Sequence, residues 1–167
     1  MRAEVRQLSV ELRQVCAELR PPMLDTLGLG AALRAHAEEW STQYEADIQL
    51  DLPLDATLRS LPGEVAVNLY RVAQEALVNA GKHAKASKVT ISLGWKGEQL
   101  IMTIQDNGQG FKMPGTFQNL IAQNHFGLAS MQERTGLIGG QWTLRSSPGE
   151  GTIVRITWCP EGLTNGE

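Results

Sequence analysis

The chain has 167 residues, 42% of them hydrophobic and 20% charged, proportions that fit one folded domain with an appended helix and exclude a large multidomain enzyme, a disordered chain and a collagen-like one. Lys and Arg number 15 against 18 Asp and Glu, a net charge of -3, so there is no basic excess to hold a phosphate backbone and no nucleic-acid partner is expected. Cys16 and Cys159 lack the paired spacing of a zinc site or a disulfide framework, and no apolar run reaches the roughly 20 residues that cross a bilayer, which together predict free thiols in a cytoplasmic chain.

Val5, Leu8, Leu12, Val15 and Leu19 recur in steps of three and four, the narrow apolar seam of a helix that packs on another helix, on a second copy of itself, or on its own domain. Arg20-Pro21-Pro22 stops it. A second helical pattern runs from Leu27 to Tyr44 through Leu29, Ala32, Leu33, Ala37 and Trp40, followed by a strand alternating Ile48, Leu50 and Leu52 that Pro53 closes. Pro62-Gly63-Glu64 opens a long helix with Val65, Leu69, Val72, Ala76 and Ala80 as its buried stripe, expected to end near Ala84. Residues 89–93 and 100–104 read as two strands of a hairpin turning at Lys96-Gly97-Glu98-Gln99.

After Asp106-Asn107-Gly108-Gln109-Gly110-Phe111, residues 112–124 carry Pro114, Gly115 and little periodicity, which predicts an exposed loop of the kind that covers ligands. Phe126 to Leu137 reads as a helix stopped by Gly139-Gly140, and Gln141 to Ser146 with Thr152 to Trp158 as a last hairpin around Pro148-Gly149-Glu150-Gly151. Helices and hairpins thus alternate without a βαβ rhythm, so the expected class is α+β, with helices on one face of a mixed sheet. Neither of the familiar glycine-rich phosphate loops is present.

Four segments carry candidate chemistry. On the long helix Asn68, Arg71, Glu75, Asn79 and Lys82 recur at helical steps, so Glu75 and Asn79 project together. A carboxylate and an amide carbonyl are hard oxygen donors suited to Mg2+ beside phosphate oxygens, with Lys82 and His83 near enough to contact that phosphate; the same spacing also describes a plain solvated face. Asp106 at a strand end is a candidate acceptor for an exocyclic amine, with Gly108 and Gly110 permitting close backbone approach, and Asp-Asn-Gly is equally ordinary turn chemistry. His125-Phe126-Gly127-Leu128 opens a helix after the loop, and Ser147-Pro148-Gly149-Glu150-Gly151-Thr152 is either a simple hairpin turn or a backbone platform offering a hydroxyl.

Taken in order, Glu75-Ala76-Leu77-Val78-Asn79-Ala80-Gly81-Lys82-His83-Ala84, then Asp106-Asn107-Gly108-Gln109-Gly110, then Phe126-Gly127-Leu128, then Gly149-Glu150-Gly151-Thr152 resembles the asparagine box and three glycine boxes of the GHKL ATPases. Arg71 to Leu77, Leu19-Arg20-Pro21-Pro22-Met23-Leu24, and His125 to Leu128 with Met131-Gln132-Glu133-Arg134 resemble the sensor histidine kinases that partner LuxR-type response regulators, the nitrate/nitrite sensors among them. The resemblance extends from about residue 5 to residue 160.

It implies the Bergerat ATP-binding fold, a two-layer α/β sandwich over residues 23–160, preceded over 1–22 by part of a dimerisation helix and followed over 161–167 by a frayed tail. It implies ATP and Mg2+ as cofactors, with Asn79 as metal ligand and Glu75 near the metal or acting as a base. Lys82 and His83 would lie near the phosphates, Asp106 would accept the adenine amine, Gly108 and Gly110 would shape the nucleotide wall, and Thr152 would support the adenine end. Residues 112–124 would form the lid, with Gly127 and Leu128 beneath it.

The chain departs from the pattern at Phe126, where many relatives place glycine, and at Gly81, which inside a helix costs roughly 1 kcal/mol relative to alanine and suggests flexibility there. His36, His83 and His125 do not stand in the context of a phosphoacceptor. The expected molecule is therefore the catalytic fragment of a sensor kinase, homodimeric and membrane-anchored at full length, whose acceptor histidine lies on another segment; ATP hydrolysis and a non-catalytic interaction module are the alternatives.

Overall fold

The computed structural model describes residues 22–113 and 126–160. The helix expected over residues 5–19, Cys16, most of the expected lid, His125 and the tail lie outside the described residues.

Pro22, which the sequence suggests only as a stop, opens helix α1 (Pro22–Leu27), since a proline at the first helical position gives up an N–H that has no partner there anyway. Gly28 at φ 86° turns the chain into α2 (Leu29–Tyr44), so the helix expected from Leu27 begins two residues later. Its buried residues include Leu29, Ala32, Leu33, Ala37 and Trp40, the stripe expected from the spacing. After β1 (Asp47–Asp51) comes a five-residue helix, α3 (Asp55–Arg59), too short to show a periodicity in the sequence. Helix α4 (Gly63–Lys82) buries Val65, Leu69, Val72, Ala76 and Ala80 as expected. It also buries Asn68 and Arg71, so the first half of the polar stripe is not a solvated face. Its end falls at Lys82, two residues before Ala84, where the main chain unwinds through Lys85 at φ 51°.

Strands β2 (Lys88–Lys96) and β3 (Gln99–Asp106) form the first hairpin. Helix α5 (Phe126–Leu137) follows, and β4 (Gln141–Ser146) with β5 (Thr152–Trp158) forms the second hairpin. The sheet order is β1-β2-β3-β5-β4, with β1 parallel to β2 and every other pairing antiparallel. Val89, Ile91, Leu93, Leu100, Met102, Ile104, Val154, Ile156 and Trp158 alternate onto one face and meet the buried stripes of α2, α4 and α5 in a single core. The other face presents polar side chains such as Thr103 and Arg155, whose Nε donates to the Thr103 hydroxyl at 3.4 Å. The architecture is the expected α+β class, and among the described residues no helix is long and apolar enough to cross a membrane.

Candidate functional site

A cavity of about 390 Å3 opens between the C-terminal half of α4, the ends of β3 and β5, and the first turns of α5. Helix α4 contributes Glu75, Ala76 and Asn79, with His83 and Ala84 just beyond its end. Steps of four along one helix set Glu75, Asn79 and His83 in a row. The strands contribute Ile104, Asp106, Thr152 and Val154, and α5 contributes Phe126, Gly127, Leu128 and Met131. Of the residues expected to form the site, Glu75, Asn79, His83, Asp106, Gly110, Gly127, Leu128 and Thr152 converge on this wall, while Lys82 is exposed outside it and Gly108 lies behind it.

Asp106 occupies the core face of β3, following Leu100, Met102 and Ile104 in the same alternation. Burial pushes its carboxyl up, against hydrogen bonds from the Gly108 amide, the Thr152 amide and the Thr152 hydroxyl that pull it back. The Gly108 bond is 2.8 Å, and Thr152 sits directly opposite Asp106 in the β3–β5 register. A buried acceptor flanked by apolar Ile104 and Val154 is suited to a flat, largely apolar ring bearing an amine donor.

The glycines are where chain segments press together. A β-carbon on Gly108 would stand 2.5 Å from the Ala84 carbonyl oxygen, so only glycine lets the β3 end cross the end of α4. Gly110, at φ 58°, lies against the Ser147 carbonyl, and Gly127 lies against the Glu75 carboxylate with Asn79 beside it. The first turn of α5 therefore rests on the two oxygen-bearing side chains of α4.

The side chains that tie these segments together have partners distant in sequence and no local signature. Asn107 Oδ1 accepts from the Ser87 and Lys88 amides at 3.1 and 2.9 Å, and its Nδ2 donates to the Ser87 hydroxyl at 3.0 Å. Gln109 Nε2 donates to the His83 carbonyl at 2.6 Å, its amide donates to Ala84, and its own carbonyl accepts from Gly149. The Ser146 hydroxyl accepts from the Phe111 amide at 3.0 Å and stands 2.9 Å from the Gly151 carbonyl. The apolar walls Ala76, Ile104, Phe111, Met131 and Val154 were also missed as site residues. Period two from Met102 and Ile156, and a step of three from Leu128 to Met131, are signals that place several of them on the site's face.

Among the described residues no cluster of three or more His, Cys, Asp or Glu side chains is placed to cage a metal ion. Glu75 and Asn79, one turn apart on the cavity wall, fit the sparser demand of Mg2+, which keeps waters and takes one or two protein oxygens beside phosphate oxygens.

The histidine kinase-, DNA gyrase B- and HSP90-like ATPase family matches residues 64–162. The chain is 33% identical over 161 residues to the nitrate/nitrite sensor protein NarX of Escherichia coli K12, covering 96% of this chain and 26% of that one. It is 37% identical over 146 residues to the sensor histidine kinase LiaS of Bacillus subtilis 168, covering 87% and 38%. Among solved structures, the histidine kinase domain of the blue-light-activated histidine kinase of Erythrobacter litoralis EL346 superposes with a TM-score of 0.64 at 25% identity, over 78% of this chain and 60% of that one. The α+β fold and a match over more than half of its length make this chain a member of the histidine kinase-, DNA gyrase B- and HSP90-like ATPase family. It spans 26% to 38% of the length of these two curated sensor relatives.

Proposed function

We propose that the chain is the catalytic domain of a sensor histidine kinase, which binds ATP with Mg2+ and presents the γ-phosphoryl group to a histidine on a separate dimerisation domain. The observation that carries this reading is that one cavity holds two chemically distinct ends: a buried carboxylate between apolar walls at Asp106, and a row of oxygen and imidazole groups at Glu75, Asn79 and His83. A base bearing an amine matches the first end and a metal-bound polyphosphate the second. Asp106 accepts the adenine amine, Thr152 holds Asp106 in place, and Ile104, Val154, Leu128 and Met131 enclose the ring.

Asn79 and Glu75 would hold Mg2+, which neutralises phosphate charge when bound. Phosphoryl transfer asks mainly for such positioning and charge neutralisation. Lys82 would reach the phosphates from outside the wall and His83 from its rim, with Gly108 and Gly110 keeping the backbone close to the nucleotide. At full length the partners would be the chain's own dimerisation and acceptor segment, in a homodimer anchored at a membrane, and a LuxR-type response regulator.

Calorimetric titration of ATP and ADP with and without Mg2+ tests the reading. Wild-type protein is expected to bind both, Asp106→Asn to lose affinity for each, and Asn79→Asp to change the Mg2+ dependence. A wild-type chain indifferent to adenine nucleotides overturns it, and a stable phosphohistidine on His36, His83 or His125 contradicts an acceptor supplied elsewhere.

A further inference from the structure

The phosphate end of the cavity rests on the last two turns of α4, and those turns are covered from behind by α2. Trp40 Nε1 donates to the Leu77 carbonyl at 2.7 Å, and the Trp40 and Tyr44 rings meet at a tilt of 39° with centroids 5.3 Å apart. Tyr44, the last residue of α2, then lies over Gly81: a β-carbon there would fall 2.6 Å from both Cε1 and Cε2 of its ring and still nearer Cζ. The glycine in the middle of this segment thus has a packing role. It is the one residue small enough to let an aromatic ring seat on the helix backbone between Asn79 and Lys82.

We propose that Tyr44 is a positioning residue for the phosphate end of the site, acting through its seat on Gly81 to fix the turn that carries Asn79 and His83. Tyr44 does not line the cavity, so its influence passes through the backbone of α4. The base end is built on the paired strands β3 and β5 and meets α4 just beyond this seat, where Gly108 lies against Ala84 and Gln109 donates to the His83 and Ala84 carbonyls. The inference rests on the nucleotide reading above, and it separates the two ends: disturbing the seat weakens what binds through phosphate and leaves what binds through the base.

The test is calorimetry of the 167-residue chain with two probes, adenosine and ATP with Mg2+. Gly81→Ala is expected to lower ATP affinity by about tenfold or more, the size of effect that losing one charge-assisted contact to phosphate or its metal would give. Adenosine affinity should stay unchanged, because Asp106 and Thr152 are held opposite each other by the paired strands β3 and β5. Tyr44→Phe keeps the ring and should behave as wild type, whereas Tyr44→Ala, which empties the seat, should weaken ATP binding and leave adenosine binding unchanged.

Equal losses for adenosine and ATP in Gly81→Ala or Tyr44→Ala, or no loss for either ligand, overturn the proposal. If circular dichroism shows Gly81→Ala unfolded, Tyr44→Ala alone decides: weaker ATP binding with unchanged adenosine binding supports the proposal, and any other result overturns it. A wild-type chain that binds neither probe removes the nucleotide reading itself, a result distinct from equal losses in a variant.

Discussion

Asp106→Asn is expected to weaken ATP binding while leaving the fold as stable as before, or more so. Three donors already converge on this carboxylate, the Gly108 amide and the amide and hydroxyl of Thr152, and an adenine amine would be a fourth. An asparagine presents one oxygen with two lone pairs and an NH2 group: its oxygen can keep the Gly108 and Thr152 amides and the rotatable Thr152 hydroxyl can turn to accept from the NH2, which leaves the adenine amine facing a donor. Losing a hydrogen bond to a charged acceptor costs about 1.5–3 kcal/mol, or about 10- to 100-fold in affinity at 1.4 kcal/mol per decade. Stability runs the other way. The carboxyl is raised above its ordinary 3.8 because burial outweighs its hydrogen bonds, so the folded state binds a proton more tightly than the unfolded state. That contribution to stability is full below the unfolded value and is lost as pH rises through the folded one. At neutral pH the charge therefore disfavours folding, and a neutral isostere relieves it. Calorimetric titration with ATP and thermal melts from about pH 4 to 7 check both halves: wild-type stability should contain a component falling with pH that Asp106→Asn lacks. A variant melting several degrees below wild type at pH 7, or binding ATP normally, refutes the reasoning.

Gly110→Ala should destabilise the fold by about 2 kcal/mol or more, because the left-handed conformation costs an L-residue roughly 1–2 kcal/mol and the new methyl group meets backbone oxygen that cannot swing away; the urea midpoint reads it. Asn107→Ala removes three hydrogen bonds at the start of β2 and should cost about 1–3 kcal/mol, with faster amide exchange at Ser87 and Lys88. By contrast Arg34→Ala, which breaks the half-exposed ion pair with Asp55, should shift stability by no more than about 1 kcal/mol, and that small loss should shrink in high salt.

How much of this could be read from the chain depends on the range of the interaction involved. The elements from α4 onward follow from periodicity and punctuation that are local in sequence: Pro62 and Glu64 at the start of α4, alternation through Met102 and Ile104, Gly139-Gly140 after α5. Helix α3 has five residues and no complete repeat, and α1 is hidden because Pro22 signals both an end and a beginning. At the site, Asp106 was legible as a carboxylate at a strand end beside Gly108 and Gly110, whereas its place on the buried face of Leu100, Met102 and Ile104 follows from β3 running on to Asp106. Gln109 was not legible, since its three hydrogen-bond partners, His83, Ala84 and Gly149, lie at least 25 residues away in the chain. The packing role of Gly81 is hidden for the same reason: a glycine in a helix suggests flexibility, and the ring that fills its place comes from Tyr44, 37 residues earlier in the chain.

Those long-range ties also decide how the two ends of the cavity relate. Asp106 and Thr152 stand on paired strands in the middle of the sheet, so their separation is set by backbone hydrogen bonds on both sides. Asn79 and His83 stand on the free end of one helix, held from behind by Trp40 and Tyr44 and from the side by Gln109, whose amide group grips the His83 carbonyl. A rigid base end and a separately held phosphate end can respond to different perturbations. Removing the Gln109 tie with Gln109→Ala should therefore reproduce the signature of disturbing Gly81, with ATP binding weakened several-fold for the loss of about 1 kcal/mol and adenosine binding kept. An equal loss for both ligands would mean that the β3 end, and with it Asp106, depends on Gln109 as much as α4 does, and the two ends would then have to be treated as one.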